Sequence, residues 1–175
     1  MTPRELEEYR ALRDTIRERG TARVWVFMAG LTAWGALTVA TAALAALPVA
    51  TLLPLLVLAG AFEAVYGLHT GVERLGRYVQ VFLEDAADRG WEHRLMAFGT
   101  AFPGSGPDPL FTVYFAGATL LNFVPVVLAG PAPIEVVVVG AAHVAFIARL
   151  LVVRHRAGRQ RAADLKRFQR LKNGA

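Results

Sequence analysis

The chain has 175 residues, 55% of them hydrophobic and 19% charged, with 19 Lys and Arg against 14 Asp and Glu for a formal net charge of +5. An average soluble domain is about 45–50% apolar and about 25% charged, so a mean hydropathy of +0.41 predicts a membrane protein of one domain. There is no cysteine, which excludes disulfides, thiol nucleophiles and cysteine-held zinc or iron-sulfur centres.

The segment 1–22 reads as a cytoplasmic amphipathic helix. Thr2 is placed as its N-cap, Pro3 as the first helical residue and Glu5 as the other half of a capping box. Leu6, Tyr9, Leu12 and Ile16 form a narrow apolar stripe, and Gly20 is placed to end the helix. Such a stripe packs on the protein's own cytoplasmic face, lies in the headgroup layer or docks a partner.

No charged residue occurs between Arg23 and Glu63, or between Asp108 and Glu135. A helix needs about 20 apolar residues to cross the hydrocarbon core. The first gap therefore holds a span over about 24–47, a turn "LPVATLLP" and a second span over about 54–74. The second gap holds a span over about 110–128, a turn "AGPAP" and a span over about 134–153. Proline cannot continue a preceding helix without loss of a backbone bond, so Pro48, Pro54, Pro131 and Pro133 mark the reversals. The expected fold is all-α: a polytopic membrane protein with four transmembrane helices in two hairpins, plus cytoplasmic amphipathic N-terminal, middle and C-terminal helices.

Neither short turn carries Lys or Arg, so the positive-inside rule puts both termini and the 75–109 connection in the cytoplasm. Usage of Arg, Ala, Val and Gly over Lys, Asn and Ile is that of a GC-rich bacterial source, which would make the membrane the cytoplasmic (inner) one. A cleaved signal peptide is not expected, because the first apolar segment is too long and follows a long charged helix.

Within the connection, Val72, Leu75, Val79, Phe82, Leu83 and Ala86 share one helical face, which predicts that the second helix runs on past the membrane with a bend at Gly71. Trp91, Leu95, Met96 and Phe98 form a short interfacial patch. "GSG" at 104–106 lacks the Gly-Lys-Ser/Thr ending of a phosphate loop.

Glu63 is the residue that composition does not explain. Nine residues from Pro54, it lies roughly 13 Å deep, near the middle of the bilayer. A carboxylate there costs at least about 2.5–3.5 kcal/mol on insertion scales, so it is expected to face the bundle interior with partners. His143, nine residues from Ile134, has the same depth, and Asn122 in the third span and Thr38 and Thr41 in the first fall in the same layer. The expected site is an intramembrane polar cluster of Glu63, His143 and Asn122 in the bundle core, with Thr38 and Thr41 in its layer and Tyr66 one turn below Glu63. Such a cluster either knits helices together or serves as a proton or substrate site. Small pairs for close helix packing are Ala36 and Ala40, Gly60 and Ala64, Gly67 and Gly71, and Ala141 and Ala145.

Toward the inner end, His69 and Glu73 share a face, with Arg77 four residues further on; an ion pair or hydrogen bond is expected there rather than a metal site. Haem ligation by His69 and His143 is not expected, since their depths differ by roughly 9 Å. No cofactor or metal is expected. A pocket open sideways near Tyr66, His69 and Tyr114 would point to chemistry on a lipid or quinone.

From Arg154 the tail, 154–175, carries eight Lys or Arg against one acid, Asp164. Basic clusters just inside a transmembrane helix attract anionic headgroups at about 1 kcal/mol per residue. Arg149, Arg154, Arg156, Arg159, Arg161, Lys166, Arg167 and Arg170 are the expected headgroup binders, with Leu165, Phe168 and Leu171 dipping into the interface. A lone aromatic, Phe168, does not make a stacking platform, so nucleic acid is not the expected partner. The expected function is a small accessory, scaffold or assembly subunit of a larger membrane complex or homo-oligomer, without catalysis of its own. A small channel or proton-coupled transporter using Glu63 and His143 is the alternative.

Overall fold

The computed structural model describes residues 1–43, 48–84, 90–102, 104–128, 130 and 132–174. The expected end of the first span at Leu47, Ala86 of the amphipathic face, and Ala129 and Pro131 of the second turn lie outside them. Among the described residues there are five α-helices and no strand: α1 (Pro3–Ala43), α2 (Leu52–Tyr78), α3 (Trp91–Ala101), α4 (Thr112–Leu128) and α5 (Pro133–Lys172). A single 3-10 turn, Pro48–Thr51, leads into α2, and a π turn, Val79–Leu83, follows it. Three helical stretches, Pro3–Ala42, Pro48–Leu83 and Pro133–Lys172, are long and apolar enough to cross a membrane, and α4 is a shorter apolar helix of 17 residues. The chain is thus an all-helical, membrane-associated protein.

Helix starts follow their local signals. The Thr2 amide donates to Glu5 Oε2 at 2.6 Å and the Glu5 amide to Thr2 Oγ1 at 3.3 Å, a complete capping box. At α5, Pro133 opens the helix and Glu135 reaches back to accept from the Ala132 amide at 3.0 Å. The helix end expected at Gly20 does not occur, since Gly20 lies inside α1, while α2 runs on through Gly71 to Tyr78. A lone glycine costs only about 1 kcal/mol against alanine, and with no proline after it good helix formers on both sides carry the helix through. The regular α-helix gives way to the π turn at Val79–Leu83, and the tail is the second half of α5 rather than a separate helix.

The chain divides into two compact units. An apolar unit comprises Arg23–Tyr66 and Leu110–His155; a charged unit comprises Met1–Ala22, Gly67–Pro109 and Arg156–Ala175. The apolar unit is centred on rings that meet edge to face: Phe27 on Phe115 at 5.7 Å, Phe115 on Phe62 at 5.4 Å and Phe62 on Phe146 at 6.0 Å. One ring comes from each of α1, α4, α2 and α5, so the series ties all four helices, and the offset geometry suits the ring quadrupoles. Leu58, Val65, Val126, Val139 and Leu150 fill in around it, all fully buried. At Gly30 a Cβ would strike that of Ala61, so this glycine sets how closely α1 and α2 approach.

In the charged unit the second half of α5 packs along the end of α2. Arg161 grips Glu73 through two bonds of 2.5 and 2.7 Å, Phe168 meets the rings of Tyr78 and Phe82 at 5.9 and 6.1 Å, and Lys172 Nζ donates to the Val81 carbonyl of the π turn at 2.6 Å. A π turn leaves carbonyls without their α-helical donors, and the lysine supplies one.

Candidate functional site

Asn122, fully buried on α4, is the hub of the polar layer. Its Nδ2 donates to the Thr51 carbonyl at 2.9 Å and faces His143 Nε2 at 3.0 Å, while its Oδ1 accepts from Trp34 Nε1 at 3.3 Å. His143 Nδ1 lies 2.8 Å from the Val139 carbonyl on its own helix. These partners settle the orientation of both groups. Indole Nε1 can only donate and a carbonyl can only accept, so the Asn122 oxygen points to Trp34 and its amide to Thr51 and His143. His143 Nδ1 must then carry the proton that Val139 accepts, and Nε2 receives the amide of Asn122. The result is a neutral knot joining α1, the 3-10 turn, α4 and α5, with a donor matched to each acceptor.

Glu63 is not part of this knot. The expected cluster of Glu63 with His143 and Asn122 does not form: the carboxylate takes Arg149 instead, through Nε at 2.7 Å and Nη2 at 2.9 Å. The physical reason is that a guanidinium fork satisfies both carboxylate oxygens and the charge together, which a neutral amide and imidazole cannot. Tyr66 lies under the same guanidinium, 5.8 Å from it. Arg149, expected among the headgroup binders, is thus held by α2, and the pair sits on the surface of the unit with side chains 46% and 42% exposed. Thr38 and Thr41 are equally uninvolved, since each returns its hydroxyl to a carbonyl four residues back in α1, at 2.8 Å.

The inner-end residues separate as well. Ion pairs and hydrogen bonds do form at the expected His69, Glu73 and Arg77 face, but with partners beyond it: Glu73 pairs with Arg161 of α5, and Arg77 with Gln80 of the π turn at 2.7 Å and Glu92 of α3 at 3.1 Å. His69 is buried, and with Glu73, Gln160 and Arg161 it lines a cavity of only about 10 Å³. Tyr114 is exposed, with its ring 5.7 Å from Phe27. The larger cavity, about 290 Å³, lies between α4 and α5, lined by Thr119, Leu120, Phe123, Gly140, His143, Val144 and Ile147.

Of the basic tail, Arg161 is engaged by Glu73 and Arg167 by Asp164 at 3.0 Å, and Phe168 is turned onto Tyr78 and Phe82 rather than outward. Arg156, Arg159, Lys166 and Arg170 stay exposed and fall within one quadrant of α5, on the side opposite Arg161 and Phe168.

The charged unit holds a network that the sequence pattern did not single out. Glu92, 4% exposed, accepts from Arg13 at 2.9 Å and from Arg77, itself 3% exposed, at 3.1 Å. Burial pushes the Glu92 carboxyl above its ordinary 4.5 even though Arg77 and Arg13 pull it down. Glu84 accepts from the amides of Glu92 and His93 and from His93 Nδ1 at 3.0 Å, so it caps the first turn of α3 from outside the helix. Among the described residues no three His, Asp or Glu side chains converge on a metal site. Protein-family models, curated proteins and solved structures give no match to this chain.

Proposed function

We propose that the chain is a small multi-pass subunit of the bacterial cytoplasmic membrane, crossing it four times with both termini inside, and that it acts as an accessory, scaffold or assembly component rather than as an enzyme. One observation supports this above others. The buried Asn122 and His143 of the apolar unit are spent on the chain's own elements, with Asn122 bonded to Trp34, Thr51 and His143. Interhelical bonds of this kind contribute about 0.6 kcal/mol each on average and fix which helix faces meet. The exposed Arg156, Arg159, Lys166 and Arg170 give the cytoplasmic side a basic stripe for anionic headgroups or an acidic partner.

A channel or proton-coupled transporter working through Glu63 and His143 has less support, because each is engaged elsewhere: Glu63 with Arg149, His143 with Asn122. The cavity of about 290 Å³ beside His143 favours a different second reading, in which an apolar tail such as that of a lipid or quinone occupies the groove between α4 and α5. Purification of the tagged protein in mild detergent, with mass spectrometry of whatever accompanies it, tests the first reading. Stoichiometric protein partners or self-association, retained by Glu63→Gln, are expected. A lone monomer carrying a quinone or lipid would overturn it.

A further inference from the structure

Resting on the membrane-spanning reading above, we propose that the face of α2 and α5 carrying Glu63 and Arg149 is a two-fold interface with a second copy of this chain.

Glu63 lies nine residues from Pro54 and Arg149 fifteen from Ile134, so counting from the outer ends they fall at roughly 13 and 22 Å of a core about 30 Å thick. Both are inside the hydrocarbon. Their side chains are nevertheless 46% and 42% exposed in the single chain. Ionisable groups at membrane depth face a bundle interior or a water-filled cavity, because lipid cannot replace the hydration they lose. Bidentate pairing removes the net charge but leaves donors: Arg149 uses Nε and one hydrogen of Nη2 on Glu63, with the Tyr66 ring 5.8 Å from the guanidinium. The remaining guanidinium hydrogens have no acceptor among the described residues.

The surroundings permit a close neighbour. Gly60 on α2 and Ala141 and Ala145 on α5 are exposed on the same side as the pair, and a Cβ at Gly60 would meet nothing within 4 Å. Small residues let a facing helix approach until backbones nearly touch. Charge complementarity selects the occupant. The patch presents one acid and one base side by side, so it is complementary to itself: a two-fold axis sets each Arg149's free hydrogens against the unused lone pairs of Glu63 in the other copy. A partner of a single sign would leave one of the two charges repelled.

The absence of cysteine makes the test clean. Ala145→Cys is placed on the face, Val144→Cys on the exposed flank beside the α4 and α5 cavity, and each full-length variant is oxidised in native membranes. Disulfide-linked dimer is expected from Ala145→Cys and not from Val144→Cys. Adding Glu63→Arg should lower its yield by at least about tenfold, and adding Arg149→Glu as well should restore it. Equal, weak linking by both cysteines overturns the interface, as does a foreign protein linked at Ala145→Cys; in either case a chain that resists alkaline extraction leaves the subunit reading standing. Release of the chain by alkali overturns both.

Discussion

The two units bury polar groups in opposite ways. In the apolar unit the buried Asn122 and His143 are neutral and matched by each other, by the half-buried Trp34 and by backbone carbonyls, while the Glu63 and Arg149 pair stays on the surface. In the charged unit the buried set is ionic: Glu92 and Arg77 are 4% and 3% exposed and joined at 3.1 Å. The difference comes from the groups each region can draw on. Arg13 and Gln80 add further hydrogen bonds to the buried pair, which offset part of its desolvation, although burial still holds Glu92 above its ordinary value. A few neutral groups with fixed directions meet the same need without charge.

Substitutions can undo that contrast, and the largest effect is expected at Arg77. Arg77→Ala leaves Glu92 buried with only Arg13, whose side chain is 32% exposed, and a loss of about 3–5 kcal/mol is expected in detergent-titrated unfolding. A loss under about 1 kcal/mol would mean that the pair is not buried as described. Asn122→Leu comes next. It deprives Trp34 Nε1, the Thr51 carbonyl and His143 Nε2 of their partner together, at about 1–3 kcal/mol for an unsatisfied group, and the unfolding midpoint should fall clearly.

Smaller effects refine the picture. The folded-state pKa of Glu92 is raised from 4.5, so its folded form holds the proton more tightly than the unfolded one. Its contribution to stability is therefore fully present below 4.5 and is lost as pH rises through the raised value. Relative to Glu92→Gln, the wild type should gain stability as pH falls through that window, and an opposite slope would mean that Arg77 and Arg13 outweigh burial. Arg167→Ala, whose partner Asp164 is buried but whose own side chain is 70% exposed, should change stability by no more than about 1 kcal/mol in the same titration.

Much of the architecture was legible from charge-free runs and punctuation. The gaps between Arg23 and Glu63 and between Asp108 and Glu135 mark the apolar helices, and Thr2, Pro3 and Glu5 mark the start of α1. Where a helix ends was less legible, because Gly20 would end one only if the next residues could not stay helical. Depth counting brought His143 and Asn122 to one level, and they do meet. The same counting misplaced Glu63, because it compares backbone heights and ignores the reach of a long side chain: Arg149, about six residues lower by that count, extends to the carboxylate. Trp34 was missed, although an indole within an apolar span needs an acceptor for its Nε1 hydrogen. Glu92 carried no signal, since a lone acid in a connecting segment looks like any solvated charge until Arg13 and Arg77 are seen to enclose it.

If the polar groups within the apolar unit hold helices together and do not carry ions, the purified chain should be silent in a flux assay. Proton flux into liposomes reconstituted with the wild type is the decisive measurement. Flux no greater than in protein-free vesicles is expected, with no change on Glu63→Gln or His143→Phe. Flux well above that background, abolished by either substitution, would contradict the helix-joining role and make the membrane-embedded polar residues a conduction site.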